Sequence, residues 1–444
     1  MATVHENVKD QGPDGTPNAL LKDYYRVPLQ RMMNRYYKRL AELDGHKDQP
    51  VAWITTMVPI EILHAAGVFP FYPENYSALC AARGVSGDLI RIASNKGVPR
   101  DLCGYATCNI GTVLSGQGAF GKGGVPRPDF LVASRLTCDI HLNWFNYVSR
   151  HYDVPLYIID APYRTGADYG EKDKAYFINQ VKRFITFLEK QSGQLIGNDK
   201  LEKAIGLSDQ ASVYWTEISL SRKAIPSPLA SRDVFSLMFP MVTLAGTPDA
   251  VTFYEDVSSE VKRIVDGRKD GTSHERYRLI WDLFPPWHDM KLWNYFDDVG
   301  AVFVIDFYAD AFSGRLDNPD PFLAISDKYL YNPSLQRGIE DKKKKIEKLV
   351  RDFHLDAGVF MSNRSCRYFS LGQFGLAAFM RDQLKLPVLS FEGDHMDPER
   401  YVKEIVVNNI KIFLELLSER KNKNVLTKTS LPQAGPDNRY HRMD

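Results

Sequence analysis

The chain has 444 residues, of which 44% are apolar and 25% charged, and its formal net charge is +1. This composition is typical of a globular protein, and the length predicts two or three domains rather than a single core. The near-neutral charge excludes an electrostatic footprint for nucleic acid or an anionic membrane, and no apolar run is long enough to span a bilayer.

The chain opens with 21 residues that lack the apolar core of a signal peptide. Residues 20–42 then carry apolar and aromatic side chains at helical spacing, which predicts one or two packed helices. A strand is expected over residues 51–59, followed by a short helix in PIEILHAAG that ends at Gly67. Residues 74–116 are predicted to be mostly helical, with a break at 97–99.

The second part of the chain repeats this alternation of strands and helices. Its predicted elements are helices over 172–191, 334–354 and 398–420, a mainly helical stretch over 198–268, and strands over 277–284 and 301–306. The fold class is therefore α/β, with two Rossmann- or flavodoxin-like parallel-sheet domains and a helical N-terminal segment. The predicted units are a polar tail with a helical segment (1–48), a first α/β domain (49–197), a helical bridging region (198–272), a second α/β domain (273–420) and a polar tail (421–444).

One phrase occurs twice in the chain. Residues 128–160 and 356–392 each contain an apolar run, the pattern Ser-x-x-[Thr/Ser]-Cys, a helix-length segment, a proline and a second apolar run that ends in an acid. Such a sequence is typical of a βαβ unit in a parallel sheet. Cys138 and Cys366 therefore fall where a strand ends and a helix begins, the edge at which open α/β sheets bind ligands. Two thiols at equivalent edges suggest a shared site.

The segment GQGAFGKG at residues 116–123 resembles two phosphate-binding motifs, G-x-G-x-x-G and G-x-x-x-x-G-K-[ST]. The second pattern fails because Gly123 stands where a hydroxyl would bind magnesium. Both patterns also need a preceding strand and a following helix, whereas a helical segment precedes and GGVPRP follows. We expect a flexible glycine-rich loop and no nucleotide site.

The five cysteines are widely spaced, which argues against a disulfide framework and favours a cytoplasmic protein with reduced thiols. Cys80 lies among small apolar residues of a predicted helix and is interpreted as core. Cys103 and Cys108 are five residues apart, so on a helix they face different directions and one of them at most joins a shared site. Cys103 stands at a loop-to-helix junction, as do Cys138 and Cys366.

Three thiols at three such junctions suit a metal cluster, because helix N-termini offer free amide N–H groups and a positive dipole end that stabilise thiolates. Zinc stays possible, although its structural sites usually contain closely spaced cysteine pairs. A [4Fe–4S] cluster normally takes four cysteines, so three would leave one iron open to another ligand. Three unrelated buried thiols are the alternative interpretation.

Glu61 and His64 lie three residues apart in the short helix of PIEILHAAG and are expected to share a face. Glu61 alone can be an N-terminal capping carboxylate. Beside a cluster, however, a carboxylate is a plausible proton carrier, so Glu61 and His64 are the candidate catalytic residues.

Several motifs in order resemble the benzoyl-CoA reductase and 2-hydroxyacyl-CoA dehydratase family over residues 50–415. The motifs are P-x-E-I-x-x-A-A-G from Pro59, D-x-C ending at Cys103, PDFLV…TC ending at Cys138, VP…D ending at Asp160, and S-x-x-S-C ending at Cys366 with a following Gly-Gln helix. Three segments, at residues 246–268, 276–306 and the carboxy-terminal part, look most like the large cluster-bearing subunits of ATP-dependent benzoyl-CoA reductases.

This resemblance implies a [4Fe–4S] cluster held by Cys103, Cys138 and Cys366, and a second, related cluster-bearing subunit as partner. It further implies an ATP-hydrolysing activator subunit with its own iron–sulfur cluster, charged by ferredoxin. The implied activity is an oxidoreductase reaction within a hetero-oligomer, the reductive dearomatisation of benzoyl-CoA or a close analogue to a cyclic dienoyl-CoA in anaerobic aromatic degradation.

Two other functions stay open: a subunit of an (R)-2-hydroxyacyl-CoA dehydratase, and an electron-relay subunit that carries a cluster without binding substrate. The chain departs from the family pattern at two places. Cys108 is an extra thiol near the site, and Thr55 and Thr56 stand in the strand before P-x-E, where dehydratase members often have cysteine or serine.

Overall fold

The structure, a computed structural model, describes residues 19–45, 48–162, 169–267, 274–331 and 338–429. The helices are α1 (Ala19–Glu42), α2 (Ile60–Ala65), α3 (Pro73–Ala82), α4 (Ser86–Asn95), α5 (Gly104–Ser115), α6 (Ile140–Tyr152), α7 (Glu171–Ser192), α8 (Asn198–Ser221), α9 (Ser231–Thr243), α10 (Pro248–Asp266), α11 (Asn294–Asp297), α12 (Phe307–Asp310), α13 (Pro321–Leu330), α14 (Ile339–Phe353), α15 (Arg367–Asp382) and α16 (Lys403–Thr429). Two 3₁₀ helices span Trp287–Trp293 and Pro398–Arg400. The strands are β1 (Val51–Ile54), β2 (Phe69–Phe71), β3 (Gln117–Gly118), β4 (Gly121–Lys122), β5 (Phe130–Ser134), β6 (Leu156–Ile159), β7 (Tyr277–Asp282), β8 (Ala301–Asp306), β9 (Ala357–Asn363) and β10 (Val388–Gly393).

The first sheet contains four parallel strands in the order β2-β1-β5-β6. Its two central strands, β1 and β5, are buried along their whole length. Their sequences, VAWI and FLVAS, are almost continuously apolar because helices cover both faces of a parallel sheet. The order changes direction between β1 and β5, so the chain leaves these neighbouring strands toward opposite faces and a crevice opens at their carboxyl ends.

The second sheet has the order β10-β9-β7-β8, again with all strands parallel. Counted from the first strand of each half, both sheets have the order 2-1-3-4. The corresponding crevice in the second sheet lies between β7 and β9. The repeated phrase forms β5-α6-β6 in one sheet and β9-α15-β10 in the other, so the prediction of two βαβ units and the α/β fold class are confirmed.

Most predicted elements outside the sheets are also present. Residues predicted to form one or two helices form the single helix α1, which buries one stripe of side chains against the core: Leu21, Tyr25, Leu29, Met32, Tyr36 and Leu40. The helical stretch between the sheets consists of α8, α9 and α10. The predicted tails outside residues 19–429, and the expected start of the charged helix at residue 334, lie outside the described residues.

The glycine-rich segment forms the small antiparallel hairpin β3–β4. Gly118 lies directly against the Tyr76 ring, and a Cβ atom there would come within 2.2 Å of the Tyr76 hydroxyl oxygen. The same hydroxyl accepts a hydrogen bond from the Ala119 N–H at 3.0 Å. Glycine is therefore needed at this position because of a close approach within the protein itself.

The two halves meet through polar and apolar contacts. The Ser86 hydroxyl donates to the Met396 carbonyl at 2.7 Å, and Gly104 packs on the Met396 side chain. The helical region between the sheets is also tied to the second half, since Arg222, just after α8, forms a 3.1 Å ion pair with Asp306 at the end of β8, and both side chains are 0% exposed. Across the described part of the chain, no helix is long and apolar enough to cross a lipid bilayer.

Candidate functional site

A cavity of about 470 Å³ lies at the carboxyl ends of both sheets. Its lining includes Thr56 after β1, Cys138 after β5, Phe284 after β7 and Cys366 after β9. These are the strands that border the crevice of each sheet. The equal strand order of the two halves therefore places both crevices against one shared space, as expected for ligand sites of open α/β sheets.

The structure brings the three predicted cysteines together at this cavity, with Cys103 as the third. Cys103 is the N-cap of α5, and Cys366 is the N-cap of α15. Cys138 stands two residues before the first residue of α6. Each thiol therefore lies at a helix N-terminus, where free amide N–H groups and the dipole favour a thiolate.

Two of the thiols are already hydrogen-bonded by the first turn of their helix. The Ala106 N–H donates to Cys103, and the Phe369 N–H donates to Cys366. Burial, together with the charges of the neighbouring thiols, nevertheless raises the pKa of Cys103 well above its usual range. Burial likewise raises the pKa of Cys366 to about 12. Deprotonation of Cys103 and Cys366 in this largely apolar cavity therefore needs a positive charge nearby.

The three cysteines offer thiolate sulfur, which is the ligand type that iron–sulfur clusters take in proteins. Among the described residues, no three or more His, Cys, Asp or Glu side chains are close enough together to hold a single metal ion. A cluster of iron and sulfide is much larger than one ion, so the thiolates that hold it stand farther apart. A bound cluster would supply the positive charge that permits the thiols to deprotonate.

A carboxylate–imidazole pair lines the same cavity, beside Cys138. Nε2 of His141 lies 3.0 Å from Oε1 of Glu74, and Oε2 of Glu74 accepts a hydrogen bond from the Thr56 N–H at 2.7 Å. Nδ1 of His141 lies 3.1 Å from the Thr137 hydroxyl. Burial opposes the protonation of His141, but the charges of Cys138 and Glu74 outweigh it and raise the pKa of His141 well above its usual range.

Sequence reasoning missed this pair, although each residue carried a local signal. Glu74 is the acidic residue in the first turn of α3, and His141 follows Cys138 by three residues in the repeated phrase. What the sequence does not show is their contact, which joins residues 67 positions apart.

Most of the rest of the cavity wall is apolar and rich in aromatic rings, with Lys22, Arg26 and Asn75 among its polar residues. The rings come from α1, α5, α9, α12 with the residues after it, the segment after β7, and the start of α15, and they include Tyr25, Tyr105, Phe235, Phe239, Phe284, Trp287, Tyr308, Phe312 and Phe369. Phe284 is central, with ring centroids 4.7 Å from Tyr308 and 5.6 Å from Tyr105. Such a wall excludes water and favours a flat, apolar ligand.

The structure does not bring Glu61 or His64 to this cavity. Glu61 is fully buried; it accepts hydrogen bonds from Lys328 at 2.7 Å, Ser208 at 2.6 Å and Tyr329 at 2.8 Å. Burial opposes ionisation of Glu61, but the Lys328 ammonium outweighs it and holds the pKa of this carboxyl below its usual value. Glu61 is therefore a satisfied partner in an ion pair between α2 and α13.

His64, on the same helix, faces the helical region between the sheets. Burial lowers the pKa of His64 to about 4, and its ring donates to the Thr243 carbonyl. The ring is therefore neutral at physiological pH, held on α9 rather than in the cavity.

The two remaining cysteines lie in the core between α3 and α5. Cys80 and Cys108 are both fully buried, and the Cys108 thiol is hydrogen-bonded to Cys80. Of the Cys103 and Cys108 pair, only Cys103 lines the cavity.

Comparisons of the sequence with known proteins identify one family. The family model described as 2-hydroxyglutaryl-CoA dehydratase, D-component, matches residues 55–417. The chain is 26% identical to the (R)-phenyllactyl-CoA dehydratase alpha subunit of Clostridium sporogenes, over 84% of this chain and 91% of that one. It is 27% identical to the (R)-2-hydroxyisocaproyl-CoA dehydratase alpha subunit of Clostridioides difficile, over 85% and 92%. It is 25% identical to a benzoyl-CoA reductase subunit of Thauera aromatica, over 91% and 96%.

Proposed function

The chain belongs to the 2-hydroxyglutaryl-CoA dehydratase D-component family, and within it we propose a catalytic-module subunit of an ATP-dependent benzoyl-CoA reductase. The proposed reaction adds two electrons and two protons to the ring of benzoyl-CoA, or a close analogue, and yields a cyclic dienoyl-CoA. The observation that carries this proposal is the single cavity in which three cysteines meet a wall of aromatic side chains.

The cavity is suited to an aromatic acyl group in size and character. Its volume of about 470 Å³ lies within the usual range for small-molecule sites. Phe284 and Phe369, with ring centroids 5.9 Å apart, meet edge to face and form part of its wall. A benzoyl ring bound against such side chains gains contact area and offset or edge-to-face stacking, and it displaces water from the cysteines.

We propose that Cys103, Cys138 and Cys366 hold a [4Fe–4S] cluster, which when bound supplies one-electron chemistry at low potential. The chain's own part is to hold three thiolates at helix N-termini and to keep the site dry. Because one-electron reduction of an aromatic thioester needs a potential below that of ordinary donors, we also propose partners. These are a second, related cluster-bearing subunit and an ATP-hydrolysing activator subunit that receives its electrons from ferredoxin. We propose that the complex works in the cytoplasm.

Proton delivery is assigned to Glu74 rather than to Glu61. Glu74 lines the cavity, and its two oxygens are held by His141 and the Thr56 backbone. A carboxyl fixed in this way can exchange a proton with a ligand in the cavity without moving. Glu61 has its oxygens occupied by Lys328, Ser208 and Tyr329 outside the cavity wall.

A second candidate function is a subunit of an (R)-2-hydroxyacyl-CoA dehydratase. The identities to the two dehydratase alpha subunits, 26% and 27%, are slightly above the 25% to the benzoyl-CoA reductase subunit. In that reaction the substrate loses water with no net change in electrons. The aromatic wall would then hold an apolar or aryl side chain of the hydroxyacyl group.

The stoichiometry of electrons separates the two candidates. The anaerobically purified complex that contains this chain is supplied with ATP and a reduced donor, and electrons consumed are counted against product formed. Benzoyl-CoA as substrate with two electrons per product supports the reductase. Turnover of (R)-phenyllactyl-CoA with only catalytic electrons supports the dehydratase instead. If wild type binds no iron, and Cys138→Ser and Cys366→Ser change neither iron content nor activity, the cluster proposal fails.

A further inference from the structure

Three hydrogen-bonding side chains from both halves of the protein form a chain that ends in the cavity. The Trp287 indole N–H donates to the Tyr105 hydroxyl oxygen at 2.7 Å. Tyr105 is in turn hydrogen-bonded to the Tyr308 hydroxyl. All three residues line the cavity with the cysteines.

Each hydrogen bond in the series Trp287–Tyr105–Tyr308 has a defined donor and acceptor. An indole N–H is a donor only, and a tyrosine hydroxyl has one proton. The hydrogen bond between the two tyrosines opposes ionisation of Tyr105 and favours that of Tyr308, so the Tyr105 hydroxyl donates its proton to the Tyr308 oxygen. The proton of Tyr308 must then point away from Tyr105. Within the described ranges no protein atom accepts it, so it is available to a ligand in the cavity.

Tyr308 is a neutral donor over the whole working range of pH. Burial raises the pKa of Tyr308 above its usual value, and the charges of Glu74 and Cys103 add to this rise. Tyr308, Glu74 and Cys103 all line the same cavity.

The backbone that carries Tyr308 is fixed by a buried network. Tyr308 is the second residue of α12, whose N-cap Asp306 accepts a hydrogen bond from the Ala309 N–H at 2.7 Å. The other carboxylate oxygen of Asp306 is paired with Arg222, which also bonds Ser231. A donor supported in this way keeps its direction without reorganisation when a ligand binds.

We propose that Tyr308 donates a hydrogen bond to the carbonyl oxygen of the bound thioester, as a catalytic residue, and that Trp287 and Tyr105 position and polarise it. The inference rests on the proposed function only in that the ligand is a CoA thioester, and it applies to reductase and dehydratase alike. In both, negative charge that develops on the thioester oxygen is stabilised by a pre-oriented donor in a dry site. Successive hydrogen bonds from Trp287 and Tyr105 strengthen that donor.

The test uses benzoyl-CoA labelled with ¹³C at the thioester carbonyl and bound to the anaerobically purified complex. Infrared difference spectra are compared for wild type, Tyr308→Phe and Tyr105→Phe, with Tyr176→Phe as the control. Tyr176 is an exposed tyrosine whose hydroxyl bonds Asp160 outside the cavity. We expect the carbonyl stretch at its lowest frequency in wild type and the control, higher in Tyr105→Phe and highest in Tyr308→Phe.

Kinetics add a second measurement. Loss of one neutral hydrogen bond should weaken benzoyl-CoA binding by only about two- to tenfold. Loss of a donor to developing charge should lower kcat by roughly 100-fold or more. A merely structural tyrosine would not separate affinity from rate in this way, nor shift the carbonyl band of the bound ligand.

The outcomes distinguish this inference from the proposed function. If benzoyl-CoA binds and its carbonyl band is the same in wild type and Tyr308→Phe, the inference is wrong and the reductase proposal is unaffected. If benzoyl-CoA does not bind but (R)-phenyllactyl-CoA does, the reductase proposal fails. The same comparison with the labelled phenyllactyl thioester then decides the role of Tyr308. If neither thioester binds, both proposals fall.

Discussion

Gly104 offers the sharpest test of how the two halves create the site. It directly follows Cys103 as the first residue of α5. A Cβ atom at this position would lie 2.6 Å from Cβ of Met396 and 3.1 Å from the hydroxyl oxygen of Ser365, the neighbour of Cys366. Gly104→Ala therefore inserts a methyl group between the segment that carries one thiol and the segment that carries another.

The size of the effect follows from the overlap. Carbon atoms in contact prefer roughly 3.5–4.0 Å, so Met396 must move by about 1 Å. Extra volume in a packed interior typically costs about 1–3 kcal/mol, against at most about 1 kcal/mol gained from replacing glycine in a helix. We expect Gly104→Ala to lower the free energy of unfolding by about 1–2 kcal/mol. We also expect it to widen the gap between Cys103 and Cys366.

Two measurements on the same samples check this prediction: thermal unfolding, and iron bound per chain after anaerobic reconstitution with iron and sulfide. Gly372→Ala is the matched control, because a Cβ atom added at this helical glycine in α15 would meet no atom within 4 Å. We expect Gly372→Ala to bind as much iron as wild type and to unfold at the same or a higher temperature. Gly104→Ala should bind less iron and unfold at a lower temperature. Equal iron content and equal unfolding temperature for Gly104→Ala and wild type would refute the packing argument.

Three further predictions address charge and proton transfer. Asp282→Asn tests a buried acid whose pKa burial raises to about 6, so that protonation stabilises the fold. This contribution is complete below about pH 4 and is lost as the pH rises through 6. Between pH 4 and 7 the free energy of unfolding of the variant, measured with urea, should therefore rise by roughly 3 kcal/mol relative to that of wild type. If the free energies of unfolding of the two proteins changed in parallel with pH, the prediction would be contradicted. Arg222→Met leaves Asp306 buried without its partner and should lower the free energy of unfolding by about 3–5 kcal/mol. The same change at exposed Arg35, which pairs with Asp249, should lower it by less than about 1 kcal/mol. Similar losses for both variants would contradict the role of the buried Arg222–Asp306 pair. Glu74→Gln should lower kcat by about 100-fold or more with KM and unfolding temperature little changed, and an unchanged kcat would remove Glu74 from proton transfer.

The sheets could be predicted because their signal is local. Both copies of the repeated phrase contain short apolar runs around a helix-length segment, and such runs have few alternatives to a buried parallel strand. The same pattern placed Cys138 and Cys366 at strand-to-helix junctions. Cys103 could be chosen over Cys108 from helical periodicity and its loop-to-helix position, since residues five apart on a helix face different directions.

What could not be predicted is which side chains stand opposite one another across the fold. The face shared by Glu61 and His64 followed from their spacing, but Lys328, which pairs with Glu61, is 267 residues away. Glu74 and His141 are joined by a contact that no local pattern encodes. Sequence spacing therefore indicated which residues share an element, while the direction of each element relative to the cavity came only from packing.

The equal strand order of the two sheets explains why the site is formed at their junction. Each sheet provides one crevice, and each crevice contributes one thiol of the repeated phrase, Cys138 or Cys366. The chain Trp287–Tyr105–Tyr308 crosses the same junction, since Tyr105 belongs to α5 of the first half and its two partners to the second. A separation of the halves would therefore disperse the thiols and break the hydrogen-bond chain in one movement. The proposed cluster and thioester would both need the closed arrangement, so each would stabilise it and, by linkage, the binding of one would favour the binding of the other.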